Sequence, residues 1–153
     1  MRTAIVERRI DVCALLDEVA QHRNGATVLF IGTVRETNAG EAVTALDYSA
    51  YREMAESELA AIAQEASARW GTFDIAVEHR IGSLGLGDAS VAIAVAHAHR
   101  GEAYDASRYI IEELKKRLPV WKREHYTDGR ADWVPGSTAA AEGSVLPDAR
   151  RGP

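Results

Sequence analysis

Leu114-Lys115-Lys116-Arg117-Leu118-Pro119-Val120-Trp121-Lys122-Arg123-Glu124 changes its periodicity at a single residue, Pro119. Ahead of it, Ile111, Leu114 and Leu118 recur at helical spacing and form an apolar stripe suited to packing on a core. Pro119 ends the helix, because it has no N–H to donate and disfavours the α conformation in the residue before it. Residues 120–126, rich in β-branched and aromatic side chains, then predict a strand. On the helix, Lys115 lies about 40° from Ile111 and about 60° from Leu118, at the margin of the stripe, whereas Lys116 lies roughly 160° from Leu118. Lys115 is thus placed to face a pocket wall and Lys116 to face solvent. A plainer reading has both lysines only complement the negative end of the helix.

Upstream, this helix starts near residue 102 and follows the most strand-like segment, residues 90–98. Val91, Ile93 and Val95 line one face of that segment, and Ala92, Ala94 and Ala96 make the other shallow enough for close helix packing. His97 and His99 carry the Val/Ile face to its end, where Arg100 emerges. Gly82, Gly85 and Gly87 read as a bent connection, since their order matches no nucleotide-binding fingerprint and no lysine completes a phosphate loop. Phe73, Ile75, Val77 and His79 alternate with Asp74, Ala76, Glu78 and Arg80, the pattern of a strand with one wet face. Ala55, Leu59, Ile62, Ala63, Ala66 and Trp70 mark an amphipathic helix closed by Gly71.

Further towards the start, residues 43–48 predict a strand and residues 36–41 a polar, mobile loop. Residues 26–34 are almost continuously apolar and read as a central strand covered on both faces. Asp11 is placed to cap a helix running through Leu15, Leu16 and Val19 to Gly25, and residues 3–9 form a first strand. Cys13, among Val12, Leu15 and Leu16, reads as a buried small hydrophobe. From Pro135 the chain is Gly, Ser, Ala and Pro without periodicity, a disordered tail over 135–153 that leaves one domain at 1–134. The order β-α-β-β-α-β-β-α-β, with hairpin-length gaps between some strands, predicts an α+β fold with a mixed or antiparallel sheet and flanking helices.

Bulk properties exclude several classes of function. A length of 153 residues suits one domain with a real core. No apolar run reaches membrane-spanning length, and the early charges Glu7, Arg8, Arg9 and Asp11 leave no signal-peptide core. A net charge of −5 argues against a general nucleic-acid binder. The single cysteine cannot form an internal disulfide, and the expected location is a reducing cytoplasm.

Cations gather at predicted element ends: Arg35 after one strand, His99 and Arg100 after another, Lys115 and Lys122 around Pro119. If those ends converge, the group suits an anionic ligand, with arginine gripping phosphate in two places. A lysine lodged against apolar surface loses its proton more readily, which makes it a candidate base or nucleophile. His79, His97 and His99 could share a metal, but no Asp or Glu completes a ligand pattern with them. A serine-nucleophile reading fails because no G-x-S-x-G occurs. Trp70, Trp121 and Trp133 read as core or interface rather than ligand stackers.

In order along the chain stand Gly25-Ala26 leading into Phe30-Ile31-Gly32-Thr33-Val34-Arg35, then Leu46-Asp47-Tyr48 with Tyr51-Arg52-Glu53-Met54-Ala55. His79-Arg80-Ile81-Gly82, Gly87-Asp88-Ala89-Ser90-Val91, His99-Arg100-Gly101-Glu102-Ala103 and Leu114-Lys115 through Glu124 follow. In this order the pieces, above all HR-x-E-A and K-x-x-x-P-x-W-K-x-E, resemble the MoaE family, the large catalytic subunit of molybdopterin synthase. The resemblance covers residues 25 to about 133; the tail after Pro135 matches nothing.

The resemblance implies an α+β fold with a hammerhead-like subdomain and a sulfurtransferase without a bound cofactor or metal. Its substrate is cyclic pyranopterin monophosphate, which receives two sulfurs to become the dithiolene of molybdopterin; molybdenum enters later, on another protein. The sulfur comes as a thiocarboxylate on the C-terminal Gly-Gly of a small ubiquitin-like partner subunit. Two large subunits form a homodimer at the centre of a heterotetramer. By motif, Lys115 and Lys122 are the catalytic lysines, and Arg35, His99 and Arg100 bind the substrate's phosphate, the His-Arg pair reaching across the dimer. A different class of function is a non-catalytic docking module for a ubiquitin-like tail. The joint presence of both lysines, Arg35, His99 and Arg100 weighs against that alternative.

Overall fold

A computed structural model describes residues 1–136. The chain runs β1 (Arg2–Val6), α1 (Val12–Val19), β2 (Ala26–Thr33), β3 (Thr37–Asn38), β4 (Glu41–Ala50) and α2 (Arg52–Trp70). It continues with β5 (Ile75–Arg80), β6 (Gly82–Gly85), β7 (Ala89–His97), α3 (Arg100–Arg117), β8 (Val120–Tyr126) and β9 (Ala131–Pro135). The class is α+β, with two sheets rather than one. The first has the order β1-β5-β7-β2 and is mixed, because β1 joins β5 in parallel. The second has the order β3-β4-β8-β9 with β6 also on β4, and its pairings are antiparallel.

The first sheet is a layer between helices. Val91, Ile93 and Val95 of β7 meet Leu59, Ile62 and Ala66 of α2 and Ile110 and Leu114 of α3 in the main core. On the reverse face, Ala76, Ala92, Ala94 and Ala96 let Leu15 and Val19 of α1 come close. The alternation of branched and small residues in β7 therefore decides which helices lie on which side. Val34, Val43, Leu46 and Leu84 form a separate core beneath the second sheet. Gly71 closes α2 in the left-handed conformation, at φ 68°.

Several expectations need correction. β2 is an edge strand, hydrogen-bonded to β7 alone, and Thr27, Ile31 and Thr33 are exposed. β5 has no wet face, because β1 flanks it and helices cover both sides. Glu78 within it is 1% exposed, and Arg2 and Arg8 neutralise it at 2.8 and 2.6 Å. α1 starts as expected, with Asp11 accepting from the Ala14 N–H at 3.1 Å, but it stops at Val19 rather than Gly25. Turning Leu15 and Val19 inward leaves Cys13 exposed.

Residues 36–41 form no open loop: β3 and β4 make a tight hairpin through Ala39 and Gly40, both at positive φ. The glycine-rich connection contains β6, which adds to β4. His99 and Arg100 begin α3 instead of ending a strand. β9 is absent from the sequence reading, and the expected tail begins inside it. Pro135 pairs with Trp121, and the Gly136 N–H donates to the Val120 carbonyl at 2.9 Å. The remainder of that tail, 137–153, lies outside the described residues.

Candidate active site

Where the end of β2, the β3–β4 hairpin, β8 and the last turn of α3 meet, they enclose a cleft of roughly 150 Å³. Arg35, Lys115 and Lys122 supply its cations, Glu124 its acid, and Phe30, Leu46, Tyr48, Val91 and Ile111 its apolar wall. The helix-to-strand break at Pro119 makes this possible. Leu118 and Val120 anchor both sides of the break in the core, so Lys115 arrives on a helix and Lys122 on a strand.

The two lysines sit in different environments. Lys122 Nζ lies 2.7 Å from Glu124 Oε1. Glu124 also accepts from Asn38 at 2.7 Å and from the Tyr126 hydroxyl at 2.5 Å. Burial would raise the Glu124 carboxyl, but the hydrogen bonds from Lys122, Tyr126 and Asn38 outweigh it and hold the pKa below the usual carboxylate range. Lys115 has no ion-pair partner among the described residues. Lys115 is an exposed residue that also lines the cleft. Loss of water there lowers its pKa, and the charges of Lys122 and Arg35 lower it further. Lys116 points away and pairs with Glu113 at 2.9 Å.

Behind the cleft wall, His79 is 2% exposed and meets the Tyr48 ring edge-on at 5.4 Å. Burial, with the Lys115 charge adding to it, pushes its pKa down to about 4, so the ring is neutral. His79 pairs with Val91, six residues and about 20 Å along β7 from His97, so the three histidines do not converge. Among the described residues no group of three or more His, Cys, Asp or Glu is placed to hold a metal.

His99 and Arg100 are not in this cleft. They line a separate hollow with Gly25, Ala98 and Gly101 at the opposite end of α3. Lys115 lies fifteen helical steps from Arg100, about 22 Å along the axis. Within one chain, the structure thus brings together Arg35, Lys115 and Lys122 and leaves the His-Arg pair apart.

The MoaE protein family model matches residues 5–117, which include Arg35, His99, Arg100 and Lys115. The chain belongs to the MoaE family. Lys122 and Glu124 lie beyond the matched stretch. A molybdopterin synthase catalytic subunit from Halalkalibacterium halodurans is 46% identical over 133 residues, covering 87% of this chain and 85% of the relative. Another from Thermoplasma volcanium is 45% identical, covering 84% and 94%. The crystal structure of molybdopterin synthase from Staphylococcus aureus superposes with a TM-score of 0.81 at 38% identity, covering 86% of this chain and 95% of that one.

Sequence reasoning missed two members of this MoaE-family cleft. Glu124 shares the face of β8 with Lys122 and Tyr126, a period-two signal that was available. Asn38 was hidden in a segment read as a mobile loop, and no local pattern marks its reach to Glu124.

Proposed function

We propose that this chain is the catalytic subunit of a molybdopterin synthase, moving sulfur from the thiocarboxylate tail of a small ubiquitin-like subunit to cyclic pyranopterin monophosphate. The observation that carries this reading is the cleft itself: an unpaired, desolvated Lys115 beside an ion-paired Lys122 and Arg35, in a member of the MoaE family. Both intended guests, a carboxyl-terminal tail and a phosphate ester, are anions. A cleft lined with three cations and one already paired acid suits them.

The thiocarboxylate sulfur attacks a carbon of the precursor, forming a C–S bond as that carbon's C–O bond to the cyclic phosphate breaks; the oxygen leaves on the phosphate, and a thioester links the pterin to the partner's tail. Water then cleaves the acyl–sulfur bond, returning the tail as a carboxylate and leaving sulfur on the pterin. Lys115 moves a proton or stabilises the negative charge that develops, a task suited to an amine held below its ordinary pKa. Lys122, fixed by Glu124, holds the tail's carboxyl end or the phosphate. Arg35 neutralises the phosphate from the mouth of the cleft.

His99 and Arg100, about 22 Å away along α3, complete the cleft of a second copy in a homodimer, the centre of a heterotetramer with two small subunits. A reducing cytoplasm is the compartment we propose for the reaction, in keeping with a single cysteine that cannot form an internal disulfide.

Single-turnover conversion of the precursor, with a thiocarboxylated small subunit and Lys115→Ala run alongside, tests the reading. The native chain should form product, and the variant should lose at least about a hundredfold in rate, the usual weight of a proton-transfer group. Partner binding without product from the native chain would leave a docking module in place of an enzyme.

A further inference from the structure

His97 is held by two backbone groups from different elements. Its Nε2 lies 3.0 Å from the carbonyl oxygen of Trp70, the last residue of α2. Its Nδ1 lies 3.0 Å from the backbone N–H of His99, the residue that opens α3. A carbonyl can only accept, so Nε2 carries the proton; an N–H can only donate, so Nδ1 is bare. Both contacts are met by one neutral tautomer and by no other form of the ring.

The helix start that this ring serves has no other side-chain cap. His99 is extended, at φ −124° and ψ 141°, and no side chain accepts from the first turn. Its own N–H lies before the helix and would go without a protein partner if His97 were removed. The neighbouring turn is fixed as well: the Gly25 N–H donates to the His97 carbonyl at 3.1 Å. The bond from the His99 N–H to the His97 ring therefore sets the path of the backbone through His99, and with it the direction in which Arg100 leaves the helix; the contact with Trp70 only steadies the ring.

We infer that His97 is a positioning residue for the His99–Arg100 pair, a neutral imidazole whose bare Nδ1 accepts from the His99 N–H and fixes the start of α3. The inference rests on the reading of Arg100 as a phosphate-binding group. His97 does not itself touch the substrate.

Two amide replacements separate the contacts of the ring. Asn at this position can accept from the N–H two residues on, as in an Asx turn, and so keeps the bond to His99. Gln can reach the Trp70 carbonyl in place of Nε2 but does not offer that short-range acceptor. The experiment measures the half-saturating precursor concentration and the saturated rate for H97N, H97Q and H97L with the thiocarboxylated small subunit, together with Tm. Arg100→Ala is the control.

H97Q and H97L should raise the half-saturating concentration about tenfold at nearly unchanged saturated rate, the worth of one well-aimed charge-assisted hydrogen bond, while H97N stays near native. Equal values for H97N and H97Q, or a fall in Tm with unchanged precursor affinity, would overturn the inference and leave His97 a structural residue. If H97L does not fold, the contrast between Asn and Gln still decides. If Arg100→Ala itself leaves precursor affinity unchanged, the reading of Arg100 fails, and the inference fails with it.

Discussion

Lys115 and Lys122 are chemically alike, and the cleft makes them different. Glu124 holds Lys122 at 2.7 Å, whereas Lys115 faces apolar wall and other cations. Environments that separate two like groups are how one site obtains two roles. The direction of the Lys115 shift gives a test. Burial, Lys122 and Arg35 all disfavour its charged form, so its titration should fall below 10.5 in the native protein. Removing a repelling cation stabilises the ammonium, so Arg35→Gln should move the midpoint upward, measured by NMR of the Lys115 side chain against pH. An unchanged or lowered midpoint would show that Arg35 does not act on Lys115. At this scale the sequence was informative: helical phase alone separates Lys115 at the cleft from Lys116, which meets Glu113 outside it. The pairing of Glu124 with Asn38 was out of reach, because those residues are 86 positions apart.

Elements were legible where one periodicity ran long enough. α2, β7 and the α3–Pro119–β8 break follow from spacing, because their apolar residues contact a core at each repeat. Neighbour relations did not follow. Nothing local says that β1 pairs in parallel with β5, and that pairing is what buries Glu78 and removes the expected wet face. Gly25 shows how the same residue type can serve a different end. It does not stop α1; a Cβ there would lie 2.6 Å from the Ala98 carbonyl oxygen, so glycine lets β2 begin against the turn that leads to His99 and Arg100. Gly25→Ala should therefore cost about 1–3 kcal/mol, since backbone must shift to admit one methyl. Gly101→Ala, whose added methyl meets nothing within 4 Å in the first turn of α3, should be neutral or stabilising by up to about 1 kcal/mol. Denaturant unfolding of both variants checks the pair, and an equal effect would mean that the close approach at Ala98 has no energetic weight.

On the scale of the whole molecule, the spacing of the cations is the fact to explain. Three line one cleft, while His99 and Arg100 lie about 22 Å away along α3. No rotamer spans that distance, so the pair serves the cleft of another copy or serves none. The surface near the pair has the character of a covered face. Tyr104, one helical turn beyond Arg100, is 63% exposed, and β2, whose Ala26 pairs with His97, presents an unpaired edge. Sequence periodicity could not show this, because it describes one chain's own core and is silent on what a second copy buries. Two inactive variants distinguish the arrangements. Lys115→Ala removes the proposed proton-handling group and Arg100→Ala the proposed remote phosphate contact, so on this reading each homodimer should be nearly inactive at limiting precursor. If the site is shared, a mixed dimer holds one intact cleft: Lys115 from the Arg100→Ala chain, Arg100 from the Lys115→Ala chain. Random exchange makes half the dimers mixed, each with one working cleft of two, so an equal mixture should regain about a quarter of native activity. If each chain completes its own site, mixing restores nothing, because every cleft then lacks one group or the other.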